Sequence, residues 1–183
     1  HRLIRRQRQM CIRDSYIAGA RKFSWIKLKK SYGKVADTFD VVIVGYYLGK
    51  GHRAKFNFGG LLTAVYNKKK DKYETIARVG SGFTEEEMGE LQKRLNKIVL
   101  KERPKELDAK IEPDFWVKLK YVITVSADEI SLSPTHTCAK DYNPDKKGFA
   151  LRFPRMINIR EDKDPKDATT TKEIKEMYKL QKK

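Results

Sequence analysis

Lys27 and Lys29 stand two residues apart in Trp25-Ile26-Lys27-Leu28-Lys29, a stretch that alternates with period two. As a strand it turns Ile26 and Leu28 to one face and Trp25, Lys27 and Lys29 to the other. Strand rise then sets the two lysines about 6–7 Å apart, a spacing that suits adjacent phosphate oxygens. A half-buried edge strand with solvated lysines has the same pattern, so the stretch alone does not decide. Its company matters more. Ser15-Tyr16-Ile17-Ala18-Gly19-Ala20-Arg21 precedes it, and Arg152-Phe153-Pro154-Arg155 and Arg160-Glu161-Asp162-Lys163 lie far downstream. Cations of these kinds neutralise and orient phosphates, and Asp162 can hold a basic neighbour by ion pairing.

The balance of the chain agrees. It carries 41 basic against 24 acidic residues, a formal charge of +17 over 183 residues, which favours a polyanionic partner. No apolar run reaches the roughly 18–20 residues of a membrane span, so nucleic acid is preferred over a membrane. Cys11 and Cys138 form no Cys-x-x-Cys pair and no disulfide framework, which fits a reducing compartment. His136 and Cys138 are too few ligands for a zinc site, and no metal ligand is assigned.

Several elements must position these groups. Residues 1–14 hold five arginines without turn chemistry or periodicity and read as a non-native leader, and residues 15–34 close one domain. Residues 35–166 form the next, in which strands are expected over 39–48 (with Gly45 as a bulge), 61–66 and 73–79. Between the first two strands, Lys50, Arg53 and Lys55 make a basic loop. Thr84-Glu85-Glu86-Glu87 has capping-box spacing, and Met88, Leu91, Leu95, Ile98 and Val99 predict an amphipathic helix ending before Pro104. Strands are expected again over 115–125, 129–132 and 149–153, and residues 167–183 hold a closing helix capped by Thr170 and Glu173. The class is mainly β with helices. The order is that of a five-stranded OB barrel with a helix between strands 3 and 4, while an SH3-like barrel stays open on period alone.

With these pieces placed, the chain resembles the C-terminal part of replicative ATP-dependent DNA ligases of the archaeal and eukaryotic type, from about Ser15 onward. The matching residues are Tyr16, Gly19-Ala20-Arg21, Trp25 to Lys29, Arg152 to Arg155, Arg160 to Lys163, and Asp167-Ala168-Thr169-Thr170. The resemblance implies that the early set is the last strand of the adenylation domain. It also implies that Arg21 and Lys27 hold ATP, with Lys29 beside Lys27 as a second catalytic cation. Arg155, Arg160, Asp162 and Lys163 would meet the β and γ phosphates when the OB domain closes. Phe153, next to Arg152, would press into the minor groove beside a nick. Asn158 departs from relatives that carry a basic residue there. The adenylated lysine of the family's Lys-x-Asp-Gly motif is missing, since the sequence has no Asp-Gly pair.

The implied reaction passes through enzyme-AMP and DNA-AMP to seal nicks in duplex DNA, using ATP and Mg²⁺, in replication, repair and recombination. Lys50, Arg53 and Lys55 would add sequence-independent phosphate contacts. A monomer is expected, in the cytoplasm or nucleoid or, for a eukaryotic source, the nucleus. A sliding clamp would engage it through the absent N-terminal part. Two rivals remain. One is another nucleotidyltransferase, an RNA ligase or mRNA-capping guanylyltransferase, from which the Arg-Phe-Pro-Arg ending would not be expected. The other is a non-catalytic OB module that stacks single strands on Phe56, Phe58, Tyr66 and Tyr73.

Overall fold

The computed structural model describes residues 38–49, 51, 55 and 57–181. Its chain order begins with β1 (Thr38–Tyr47), β2 (Gly60–Asn67) and β3 (Lys72–Val79), followed by the helix α1 (Glu85–Asn96). Short strands β4 (Val99–Leu100), β5 (Leu107–Asp108) and β6 (Phe115–Val117) come next, then β7 (Val122–Ser126) and β8 (Glu129–Ser133). The chain continues through β9 (Gly148–Arg152), β10 (Arg155–Arg160) and the helix α2 (Thr171–Gln181).

Antiparallel pairing joins β1 to β2 and β2 to β3. The other edge of β1 takes β7 over residues 38–42 and β6 at Gly45 and Tyr46, and β10 lies outside β7. β8 and β9 form their own pair. The backbone N–H groups of Thr137 and Cys138 both donate to the Thr75 carbonyl in β3, at 3.1 and 3.0 Å. Cys138 also bridges to Phe149 in β9, so the wall continues from β3 to the β8–β9 pair. This is the mainly-β barrel with a helix after the third strand that the sequence predicts.

Both faces of β1 are buried, which is why its residues read as one apolar run rather than a half-polar alternation. Phe39, Val41 and Ile43 enter the barrel interior with Leu61, Ile76, Ile123 and Phe149. Val42 and Val44 face a second cluster with Leu62, Val122, Leu107 and Ala168. Met88, Leu91 and Leu95 of α1 and Ile174 of α2 join the interior cluster.

Three boundaries differ from the sequence expectation. α1 stops at Asn96, and Val99 pairs with Val117 instead of continuing the helix. The expected strand over 115–125 is two strands, because the segment loops out at residues 118–121 between its pairings with Gly45 and Val42 of β1; the bulge in β1 between Ile43 and Gly45 is set against β2. The Ile43 N–H accordingly reaches the Tyr121 carbonyl, at 2.9 Å. β10, not foreseen as a strand, follows β9 after a turn at Phe153 and Pro154.

The capping box is present: Glu87 N–H donates to Thr84 Oγ1 at 3.1 Å, and Thr84 N–H donates to Glu87 Oε2 at 2.7 Å. Replacing Thr84 with alanine orphans the first of these donors, so the urea midpoint should fall by the equivalent of about 1 kcal/mol. An unchanged midpoint would mean that water caps this helix equally well.

Candidate functional site

The site is built on β10 and its neighbours. Register sets Arg155 opposite Ser126, Asn158 opposite Thr124 and Arg160 opposite Val122, with a bulge between Met156 and Asn158. Ser126, Thr124 and Val122 alternate on one face of β7, so their three partners share that face despite uneven spacing in sequence. Met156, by contrast, is buried in the interior. Four residues of β7 separate the ends of this row, about 13 Å. The structure therefore divides the late cations into two groups.

At one end, Arg160 donates from Nε to Asp162 Oδ1 at 2.8 Å and from Nη2 to Asp162 Oδ2 at 2.7 Å. It also donates from Nη1 to Asp40 Oδ2 at 3.2 Å, and Lys163 Nζ donates to the same oxygen at 2.7 Å. Thr124 donates its hydroxyl to Asp40 Oδ1 at 2.6 Å. Burial raises the Asp40 pKa, but hydrogen bonds from Lys163 and Thr124 and the charges of Lys163 and Arg160 outweigh it and hold the carboxyl below its ordinary value. The hydrogen bond from Arg160 brings Asp162 down to about 2, while the same bond raises Arg160. Arg94 of α1 donates to Glu161 at 2.6 Å and ties the turn to the helix.

At the other end, Phe153 lies half exposed with φ 51° between β9 and β10. The turn is fixed from β3's end: Ser81 Oγ donates to the Pro154 carbonyl at 3.1 Å, and Met156 N–H to the Ser81 carbonyl at 2.9 Å. Arg152 lies 5.2 Å from the Phe153 ring centroid and 3.5 Å from Glu129. Arg155 is exposed and makes no ion pair with a described residue. An exposed ring with a guanidinium group beside it suits a nucleic-acid groove edged by phosphates.

A family model for the ATP dependent DNA ligase C terminal region matches residues 54–163. A probable DNA ligase of Dictyoglomus turgidum is 53% identical over 170 residues, 92% of this chain. The chain belongs to the ATP-dependent DNA ligase family. It spans 29% of that ligase relative's length and 28% of the DNA ligase of Saccharolobus solfataricus, to which it is 47% identical over 167 residues. The ligase domain of Mycobacterium tuberculosis LigD shares the fold, with a TM-score of 0.53 at 24% identity over 73% of this chain and 38% of that one. A mycobacterial DNA ligase D complexed with ATP and MES gives 0.51 at 22% identity, with the same coverage.

Within this ligase region the sequence-predicted residues fare differently. Arg160, Asp162 and Lys163 come together around Asp40, and Arg155 stands apart from them at the other end of β10. Lys55 is exposed and pairs with Glu85 at 3.4 Å, so part of its charge is already answered within the chain. Arg21, Lys27, Lys29, Lys50 and Arg53 lie outside the described residues. Phe58, Tyr66 and Tyr73 are buried, which removes them as a stacking platform for single strands. Asp40 was not foreseen. Only its interruption of an apolar run at Phe39-Asp40-Val41 distinguishes it in sequence.

Among the described residues no group of three or more His, Cys, Asp and Glu could hold a metal ion. Asp40 and Asp162 already face cations, so the site does not fit a resident Mg²⁺. No described helix is long and apolar enough to cross a membrane.

Proposed function

We propose that the parent protein seals nicks in duplex DNA at the expense of ATP, and that this region supplies late phosphate-binding cations and a duplex-facing turn. The observation that carries the reading is the pairing of Arg160 and Lys163 on one carboxylate at the end of β10. Such an arrangement holds a planar fork and a point charge side by side, a combination suited to neighbouring phosphates.

ATP supplies the adenylyl group and a pyrophosphate leaving group. Arg160 and Lys163 would hold and neutralise the β and γ phosphates, with Asp162 aiming the Arg160 fork. Positioning of this kind is the main service a protein renders to phosphoryl and nucleotidyl transfer. Lys27 and Lys29 are proposed to stabilise charge at the α phosphate, and Arg21 to hold the nucleotide. Arg155, 13 Å or so along β10 by strand rise, is better suited to the DNA backbone beside Arg152 than to the same phosphate as Arg160. Phe153 would wedge into the minor groove, and Lys50, Arg53 and Lys55 would contact the DNA backbone without reading sequence.

The test joins this chain to an upstream ligase domain carrying the missing lysine. Arg160→Ala should slow ATP-dependent self-adenylation at least about tenfold, the equivalent of roughly 1.4 kcal/mol of lost transition-state stabilisation. Sealing of DNA supplied already adenylated should change much less. Equal losses in both assays would remove Arg160 from triphosphate binding, and full self-adenylation in the variant would overturn the reading.

A further inference from the structure

The Arg160–Lys163 end of β10 is not an open cationic clamp. Two cations there meet two carboxylates, Asp40 and Asp162, and their formal charges cancel. A triphosphate offers acceptors only, so it competes for N–H groups that already donate to carboxylate oxygens. The two carboxylates are not equivalent in that competition. Asp162 is mostly exposed and rides on the same turn as the cations. Asp40 is largely covered and belongs to the barrel wall.

Asp40 is fixed from both edges of β1. On one edge it pairs with Thr124, whose hydroxyl donates to its carboxylate. On the other, pairing with β2 begins only at Val42, and Thr169 takes the vacant place. Asp40 N–H donates to Thr169 Oγ1 at 3.0 Å, and Thr169 N–H donates to the Asp40 carbonyl at 2.8 Å. The Thr169 carbonyl also accepts from Tyr66 N–H of β2, at 3.2 Å. This clasp gives the Asp167-Ala168-Thr169-Thr170 stretch a task that phosphate contact does not explain.

We propose that Asp40 is a positioning residue of the triphosphate site, an internal counter-ion locked to the barrel that holds Arg160 and Lys163 together until phosphate replaces it. The inference rests on the reading that these two cations meet the triphosphate. Its sign is distinctive. A scaffold residue strengthens ligand binding, so its loss weakens the complex. A counter-ion opposes an anionic ligand, so its neutralisation tightens the complex, and salt screens the gain.

The experiment titrates inorganic tripolyphosphate into this chain at low ionic strength by calorimetry. Arg160→Ala and Lys163→Ala should each weaken binding several-fold. Asp40→Asn, which keeps an acceptor for Thr124, should tighten it about tenfold, with a smaller gain at high salt. Asp40→Glu, which keeps the charge, should show no such gain. Unchanged or weaker binding in Asp40→Asn overturns the proposal while leaving the triphosphate reading intact, provided the two cation variants lose affinity. Binding indifferent to Arg160 and Lys163 overturns both. A readout free of any folding defect comes from the unsubstituted chain. There the carboxyl carbon resonance of Asp40 should shift as tripolyphosphate is added, and a resonance that stays in place through saturation counts against the exchange.

Discussion

Gly82→Ala is expected to lower stability by about 3 kcal/mol and to dislodge the Phe153 turn. Gly82 has φ +92°, and a Cβ there would lie 2.2 Å from the Met156 carbonyl oxygen and 2.6 Å from the Met156 nitrogen. Those neighbours are backbone, so no side chain can rotate aside. Left-handed strain costs about 1–2 kcal/mol and forced overpacking about 1–3. The natural relief is for the Met156 backbone to withdraw, which breaks its 2.9 Å hydrogen bond to Ser81. Gly89 supplies the opposite result. It lies within α1 with nothing within 4 Å of a built Cβ. Gly89→Ala should therefore stabilise by about 0.5–1 kcal/mol. Denaturant midpoints of the two variants, measured together, check both signs. Equal shifts would show that the β3–β10 contact does not hold the turn.

Acidification from pH 6.5 to 4 is expected to cost the fold about 3 kcal/mol through His136 alone. The ring is buried, its Nδ1 has no hydrogen-bond partner among the described residues, and burial lowers its pKa from 6.5 to about 4. Between those values the unfolded chain binds a proton that the folded chain refuses, so stability falls as pH falls. Below about 4 the folded ring also protonates, and the loss levels off. Each pH unit of that interval is worth about 1.4 kcal/mol. Asp40 and Asp162 act in a lower window. Their folded pKa values lie below 3.8, so the stability they lend is present above that value and is lost as pH falls through the folded ones. Urea titrations across pH should show the first loss disappear in His136→Leu while the second stays. A wild-type slope that is flat from pH 6.5 to 4 would contradict the burial argument.

What could be read in advance followed from periodicity. The first three strands and the start of α1 carry unmixed signals, period two or full burial and then 3.6 with a capping box, and they appear within a residue or two of expectation. The failures occur where one chain bends because of another. The strand expected over residues 115–125 loops out between its two pairings with β1, and that segment contains no breaker such as glycine or proline. The apolar spacing of Ile98 and Val99 extends the helical signal past Asn96, although a pairing with β6 claims Val99. Asp40 was illegible for the same reason. Its partners are 84, 120 and 123 residues away, and only strand register brings them together. The motif residues Arg160, Asp162 and Lys163 were legible by type and spacing, but not the neutrality of their surroundings.

The supernumerary Ile157 in β10 has a consequence for anyone editing this segment. It shifts the phase of the strand by one position, which brings two arginines an odd number of residues apart onto a common face. Deleting that one residue would leave the two arginines an even number of positions apart, and a regular strand would keep both on the same face. Straightening the bulge without removing a residue would instead slip one end by one position and turn a guanidinium toward the barrel interior, where Met156 now sits. The segment therefore tolerates loss of its extra residue far better than loss of the bulge around it.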